Sequence, residues 1–289
     1  DMGERELGLF SSYYTKFDIE KISQNFGFGG WKVEHYQEPK ELSNISPKIK
    51  ALLVVGGDGT LRLAINSLYA EKKFDTPIIA FPGGTCNSFY HALVDSGTVI
   101  SKDNLFREVD ASCFQPFRPG LLGDKLFIVD AGVGTCEPLI GVINEKLRKN
   151  FNIGRLRPQL SALISWFSQI TKGYEDLPPF DLYSVSPFFG TKKMFPEQSL
   201  FDDLITHVSV EAKNKNQALI KSFWAFFALG NGQLSLSRWL LNYQRRECFE
   251  TAHPAKAVRI GGDTIEEIIP EKSSVRRSEQ SIFVSAFSP

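Results

Sequence analysis

Two glycine-rich turns constrain what this chain can fold into more than any other feature. The first, VVGGDGTL at residues 54–61, follows the apolar run at 49–55 and precedes Leu61, Ala64, Ile65, Leu68 and Tyr69, which mark one face of a helix. The second, PGGTCN at 82–87, follows PIIAF at 77–81 and precedes a stretch in which Phe89, Ala92 and Leu93 share a side. A continuous short apolar run is what a strand buried on both faces requires. Strand, glycine turn and helix, used twice in succession, predict an α/β layer with a largely parallel sheet. Residues 7–10 and 31–36 supply two further strands, and 17–26 a helix ending at Gly27.

The chemistry of such turns follows from their backbone. Glycines allow a tight turn and let amide N–H groups approach a ligand closely. The helix that begins there adds partial positive charge. Two such turns at neighbouring strand ends are expected to cradle a polyphosphate from both sides, with Gly56, Gly57, Gly59, Gly83 and Gly84 in the backbone. Thr60 and Thr85 add hydroxyls, and Asn87 adds an amide. The acid among the glycines, Asp58, has two readings: it holds Mg²⁺ through water, or it accepts backbone N–H bonds and fixes the loop. The chain has no GxxxxGK[ST] and no GxGxxG, so neither a Walker-type loop nor a dinucleotide fingerprint is present.

The pattern changes near residue 110. Strand-like pieces follow at 114–116, 125–129, 180–185, 204–210, 256–260 and 281–287, separated by turn residues. That is the pattern of an antiparallel sheet or sandwich. Two helices interrupt it, one carrying Leu160, Leu163, Ile164 and Phe167, the other at 217–229. The expected fold is therefore α/β with two domains: a nucleotide-binding α/β domain at 1–112 and an antiparallel β-sandwich with added helices at 113–289. A ligand cleft between them is expected. A formal net charge of zero gives no global field for nucleic acid. Cys86, Cys113, Cys136 and Cys248 form no CxxC, which fits reduced thiols. No run of about 18 apolar residues exists, and the opening DMGERELGLF has no signal-peptide core. A cytoplasmic protein is expected.

LLVVGGDGTLRLAINSL at 52–68, followed by IIAFPGGTCNSF at 78–89, resembles the catalytic domain of the diacylglycerol kinase family, which includes soluble bacterial lipid kinases and sphingosine kinases. FIVDAGVG, FPEQSLFDDLITHVSV and PAKAVRIGGDTIEEIIP resemble later blocks of that family in the same order. The resemblance implies a fold also used by NAD kinases, and transfer of the γ-phosphoryl group of ATP, with Mg²⁺, to a lipid hydroxyl such as that of diacylglycerol. It implies an α/β nucleotide domain and a β-sandwich lipid-binding domain. It implies a protein peripheral to the membrane, in transient contact with its surface, with a homodimer as one possible assembly. It places nucleotide binding on Gly56, Gly57, Asp58, Gly59, Thr60, Gly84, Thr85 and Asn87. Asp202 and Asp203 match an acidic turn that helps bind a structural Mg²⁺ in some members; a solvated turn is the simpler reading.

The departures from that family carry information. LGLFSSYYTKF at 7–17 stands where an Asn-Pro-x-(Ser/Ala)-Gly turn is expected, leaving Ser11 and Ser12 as hydroxyl donors. Ser88 and His91 replace an expected Asp and Arg. RIGGDT puts Gly261 where the catalytic Asp belongs, Gly262 on the motif's Gly and Asp263 on its Glu. Asp263 is therefore the expected replacement base, with Asp58 as a second candidate through the metal. Two other functions compete: a nucleotide-binding relative with weak or no activity, and an NAD kinase, which also uses GGDGT. The basic run EKLRKNFNIGRLR at 145–157 is read as a solvated helix face, with anionic lipid as the sharper alternative. SFWAFFALG at 222–230 is read as core, with an acyl pocket as the alternative.

Overall fold

A computed structural model of the chain describes residues 5–11, 18–84, 86–101, 111–133, 146–147, 160–161, 164–165, 181–210, 214, 216–217, 220–221, 223–224, 241–252, 255, 258–261, 263–265 and 269–288. The chain divides into two compact units, Asp1–Arg118 with Glu279–Pro289, and Pro119–Ser278.

The first unit is built on a parallel sheet. Its strands are β1 (Arg5–Ser11), β2 (Trp31–Tyr36), β3 (Ile49–Gly56), β4 (Ile78–Pro82), β5 (Val99–Ser101) and β6 (Gln115–Phe117), joined by the C-terminal strand Ile282–Ser288. The order is β2-β1-β3-β4, then the C-terminal strand, then β5, all parallel, with β6 antiparallel to the C-terminal strand. Alternation divides the side chains between the two faces. Leu7, Leu9, Ala51, Leu53, Val55 and Ile79 are buried together with Phe26 and Trp31. Phe26 belongs to helix α1 (Ile19–Phe28), whose start is capped by Asp18, which accepts the Lys21 amide at 3.0 Å. The alternate set, Leu52, Val54 and Ile78, points the other way. Helices α2 (Asp58–Ala70) and α3 (Ser88–Asp95) lie against β3 and β4. Leu61, Ala64, Ile65 and Leu68 of α2 are buried, as their helical spacing predicts.

One expectation changes here. The strand at 281–287 does not extend the second unit's antiparallel sheets. It inserts between β4 and β5 of the parallel sheet, pairing Val284 with Ile78 and Phe287 with Ile100. The first unit therefore ends at 118 and takes back 279–289, which differs from the expected division after residue 112. A largely apolar strand suits the parallel sheet: Ile282, Val284, Ser285 and Ala286 are fully buried, while Phe283 is exposed.

The second unit is antiparallel. Its strands are β7 (Gly120–Leu122), β8 (Lys125–Phe127), β9 (Asp130–Val133), β10 (Asp181–Ser184), β11 (Phe188–Phe189), β12 (Lys192–Lys193), β13 (Ile205–Ser209), β14 (Asn242–Arg246), β15 (Cys248–Glu250), β16 (Val258–Ile260), β17 (Asp263–Ile265) and β18 (Ser274–Arg277). They form sheets in the orders β14-β13-β10-β9-β16-β17 and β15-β18-β7-β8, plus the small pair β11-β12. The two larger sheets meet where Phe249 of β15 contacts Tyr183 of β10 and His207 of β13. The expected strands at 125–129, 180–185 and 204–210 are all present in part. The expected helix at 217–229 is described only at 217, 220–221 and 223–224, where it is helical; its remaining residues lie outside the described set.

Candidate functional site

The two glycine turns stand side by side at the carboxyl ends of β3 and β4. Gly83 extends the ladder by donating its N–H to the Gly56 carbonyl at 2.8 Å. Beyond it the backbones approach more closely than side chains would allow. A Cβ on Gly84 would lie 2.4 Å from Gly57 Cα and 3.0 Å from Gly57 N. A Cβ on Gly56 would lie 2.5 Å from Thr60 Cβ. Glycine at 56, 57 and 84 is therefore a packing requirement. It brings one peptide chain against another at the mouth of the sheet.

Asp58 decides how the two turns are held. It is the first residue of α2, yet its carboxylate serves α3. One oxygen accepts the Ser88 N–H at 2.9 Å and the other the Phe89 N–H at 2.9 Å. Of the two roles expected for Asp58, the loop-fixing one is realised. The carboxylate is an N-cap supplied from 30 residues away, tying the second turn to the first. Asn87, the formal cap of α3, makes no cap bond and sits in the left-handed region at φ 51°. Its side chain closes its own turn instead. Oδ1 accepts the Gly84 N–H at 2.9 Å, and Nδ2 donates to the Gly84 carbonyl at 3.0 Å.

These contacts correct the picture of two helix starts facing a ligand. The first amides of α3 are taken by Asp58. The start of α2 differs, because Gly57 provides no side-chain cap. The amides of a helix's first turn lack intrahelical partners and carry partial positive charge. Thr60 is buried and folds back over Gly56, so it packs the turn. In the described part of the site the Gly83 and Gly84 N–H groups are already engaged, so anion-binding capacity rests on the backbone N–H groups of the first turn of α2. Thr85 lies outside the described residues, as does Ser12. Ser11, at the end of β1, is buried with its Oγ 3.0 Å from Nε2 of His35. Burial lowers the pKa of His35, a change partly opposed by Glu41.

Of the two candidate metal residues, Asp202 is engaged within the protein. Asp202 Oδ1 accepts Gln198 Nε2 at 2.9 Å and the Leu204 N–H at 3.0 Å. Its Oδ2 accepts the Ser199 N–H at 3.0 Å and Nη2 of Arg245 at 2.8 Å. Arg277 Nη2 lies 3.8 Å from Oδ1. Two guanidinium groups thus supply the positive charge that a cation would bring. Asp203 is exposed. Among the described residues no group of three or more His, Cys, Asp and Glu side chains is placed to hold a metal ion.

Gly261 ends β16 and turns the chain at φ 56°, donating its N–H to the Asp130 carbonyl at 3.0 Å. A two-residue turn with left-handed residues matches the twist of the strands it joins. It makes a tight hairpin in which Asp263 pairs across from Ile260. Gly262 and the Asp263 side chain lie outside the description. The sequence reading missed the pair beneath this hairpin. Asp130 of β9 and Arg259 of β16 are both buried, with Nη1 2.6 Å from Oδ2. The available signal was an acid inside FIVDAGVG and a base inside VRIGG, each in an otherwise apolar strand.

Residues 24–111 match the diacylglycerol kinase catalytic domain. That segment contains both glycine turns, Asp58 and Asn87. The fold as a whole is similar to the crystal structure of "a putative diacylglycerol kinase from Bacillus anthracis str. Sterne", at TM-score 0.66 and 15% identity over 99% of this chain and 98% of that one. An NAD kinase from Archaeoglobus fulgidus in complex with ATP aligns at TM-score 0.39 and 12% identity, over 97% of this chain and 93% of that one. No curated protein matches the chain. The mixed α/β fold, with a parallel sheet in the first unit and antiparallel sheets in the second, is as expected from the sequence.

Proposed function

We propose that this chain is an ATP-dependent lipid kinase that transfers the γ-phosphoryl group to a lipid hydroxyl of the diacylglycerol type. The observation that carries the reading is the backbone contact of Gly57 with Gly84, locked by Asp58, inside the segment that matches the diacylglycerol kinase catalytic domain. A polyphosphate suits a site whose donors are main-chain amides, because they are fixed in place and need no side-chain ordering. In phosphoryl transfer the protein contributes mainly positioning and charge stabilisation. The acceptor oxygen bonds to the γ-phosphorus, the bond to the β-phosphate oxygen breaks, ADP leaves, and the hydroxyl proton passes to a carboxylate. Asp263 is the candidate for that carboxylate. Mg²⁺ would enter with the nucleotide, held by phosphate oxygens and water, since both oxygens of Asp58 already accept amides. The protein would work in the cytoplasm in passing contact with a membrane, as a monomer or homodimer.

A second reading, nucleotide binding with little or no transfer, is favoured by one observation: position 261, where the resemblance places the base, is a glycine in a left-handed turn. An assay with radiolabelled ATP and Mg²⁺ against a lipid panel including diacylglycerol separates the two. Labelled lipid that disappears in Asp58→Ala supports the kinase. ATP binding with no labelled lipid supports the second reading, and labelled NAD would point to an NAD kinase.

A further inference from the structure

The six-stranded sheet of the second unit ends in a hairpin. Its last two strands are β16 and β17, in which Ile260 pairs with Asp263 and Val258 with Ile265. Asp263 stands on the outer strand, so its place in the sheet is set by how β16 is held to β9. Among the described residues that ladder is short. Arg259 pairs with Gly132 and Ile260 with Ala131, and the Gly261 N–H reaches the Asp130 carbonyl at 3.0 Å. A two-stranded hairpin is marginal by itself.

Side chains add a second tie at the same point. Opposed residues of an antiparallel pair share a face, and diagonal neighbours come within reach of long side chains. Asp130 and Arg259 are such diagonal neighbours, and Gly132, directly opposite Arg259, has no side chain to stand between them. Nη1 of Arg259 lies 2.6 Å from Oδ2 of Asp130, and both side chains are 6% exposed. Asp130 thus holds the hairpin twice, through its carbonyl at Gly261 and its carboxylate at Arg259.

An ion pair in this place is a poor source of stability. The same face of the sheet carries Leu182 and Val208, next in register to Gly132 and fully buried in an apolar cluster. Taking two charges out of water costs about as much as their attraction returns, so apolar residues of similar volume would hold the sheet as well. What apolar residues lack is direction. A carboxylate and a guanidinium meet in few arrangements, which suits them to fixing a register.

We propose that Asp130 and Arg259 are positioning residues for phosphoryl transfer: their buried pair fixes the register of the β16–β17 hairpin, and with it the position of Asp263. The proposal rests on the lipid-kinase reading. There the acceptor oxygen bonds to the γ-phosphorus, ADP leaves, and the hydroxyl proton passes to Asp263. Such a reaction depends on positioning, and a displacement of about 1 Å costs about 10²-fold in rate.

Two variants of the full chain provide the test: Asp130→Leu with Arg259→Met, which leaves neither charge buried, and Arg259→Lys, which keeps a cation there. Turnover is measured with ATP, Mg²⁺ and a short-chain diacylglycerol, alongside thermal melts and amide hydrogen exchange read by mass spectrometry. The apolar double variant is expected to melt close to the wild type. Its kcat is expected to fall about 10²-fold. Its KM for ATP is expected to stay unchanged, because the glycine turns belong to the first unit. The hairpin amides are expected to exchange about tenfold or more faster. Arg259→Lys is expected to keep kcat within about threefold of wild type, with the hairpin still protected.

Wild-type kcat in the double variant overturns the proposal, whatever the exchange. So does a double variant that unfolds far below the wild type, because the pair would then serve stability. A wild type that binds ATP and phosphorylates no acceptor overturns the kinase reading alone. Hairpin exchange then decides the register role: faster exchange in the double variant supports it, and unchanged exchange overturns it.

Discussion

Gly57 and Gly84 lie backbone to backbone, so close that a Cβ on Gly84 would sit 2.4 Å from Gly57 Cα. The contact joins two turns 27 residues apart in sequence and makes one surface of them. Side chains on either strand end would force the turns apart. Both oxygens of Asp58 then hold α3 in place against α2.

Gly84→Ala is accordingly expected to lower stability by about 1–3 kcal/mol, the usual cost of overpacking. Gly27→Ala is the control. Gly27 lies inside α1, and its Cβ would meet nothing within 4 Å. Alanine there is expected to stabilise by about 0.5–1 kcal/mol. Denaturant melts of the two variants check the contrast. Equal effects would mean that the turn contact is not a close one.

Asp58→Asn keeps one acceptor oxygen but places an NH₂ against a second N–H. A loss of about 1 kcal/mol is expected, with Asp58→Ala losing more. If the carboxylate acts as a cap, the Mg²⁺ concentration giving half-maximal turnover changes little in Asp58→Asn, while the melting temperature falls. A large rise in that concentration at unchanged stability would restore the metal role.

The Asp202 cluster is expected to behave as a structural clasp. Asp202→Ala removes acceptors from two main-chain amides, from Gln198 and from Arg245, and takes away a carboxylate that lies 3.8 Å from buried Arg277. A loss of about 1–3 kcal/mol is expected. Chelation of divalent metal is expected to leave the melting temperature of the wild type unchanged. A clear drop on chelation would show that a cation contributes to the loop.

The missing carboxylate at 261 makes a gain of function testable. A Cβ there would meet nothing within 4 Å, and Asp tolerates the left-handed backbone better than most residues. Asp263→Asn is expected to lower phosphoryl transfer by about 10²–10⁴-fold. Gly261→Asp in that background is expected to recover part of the loss. Unchanged turnover in Asp263→Asn would remove Asp263 from the mechanism.

The parts of this molecule that were legible in the sequence are those set by local pattern. The runs behind β3 and β4 could only be buried strands, and the glycines after them only turns. What was not legible depended on pairings between distant residues. Nothing near Asp58 shows that it caps a helix 30 residues later. An apolar strand such as 282–288 reads the same whether its neighbours are parallel or antiparallel. Asn87 and Thr60 looked like ligand groups because their side chains can bond a phosphate; packing turned both back onto their own turns. Trp224 looked like core because burial is the common fate of Trp, yet it is 52% exposed.

Titration of ATP with Mg²⁺ into the wild-type chain and into Gly84→Ala, followed by calorimetry, tests the two-turn phosphate site most directly. The account predicts measurable binding by the wild type, weakened about tenfold or more in Gly84→Ala at temperatures where that variant is still folded. No binding by the wild type, or equal binding by both proteins, would contradict it.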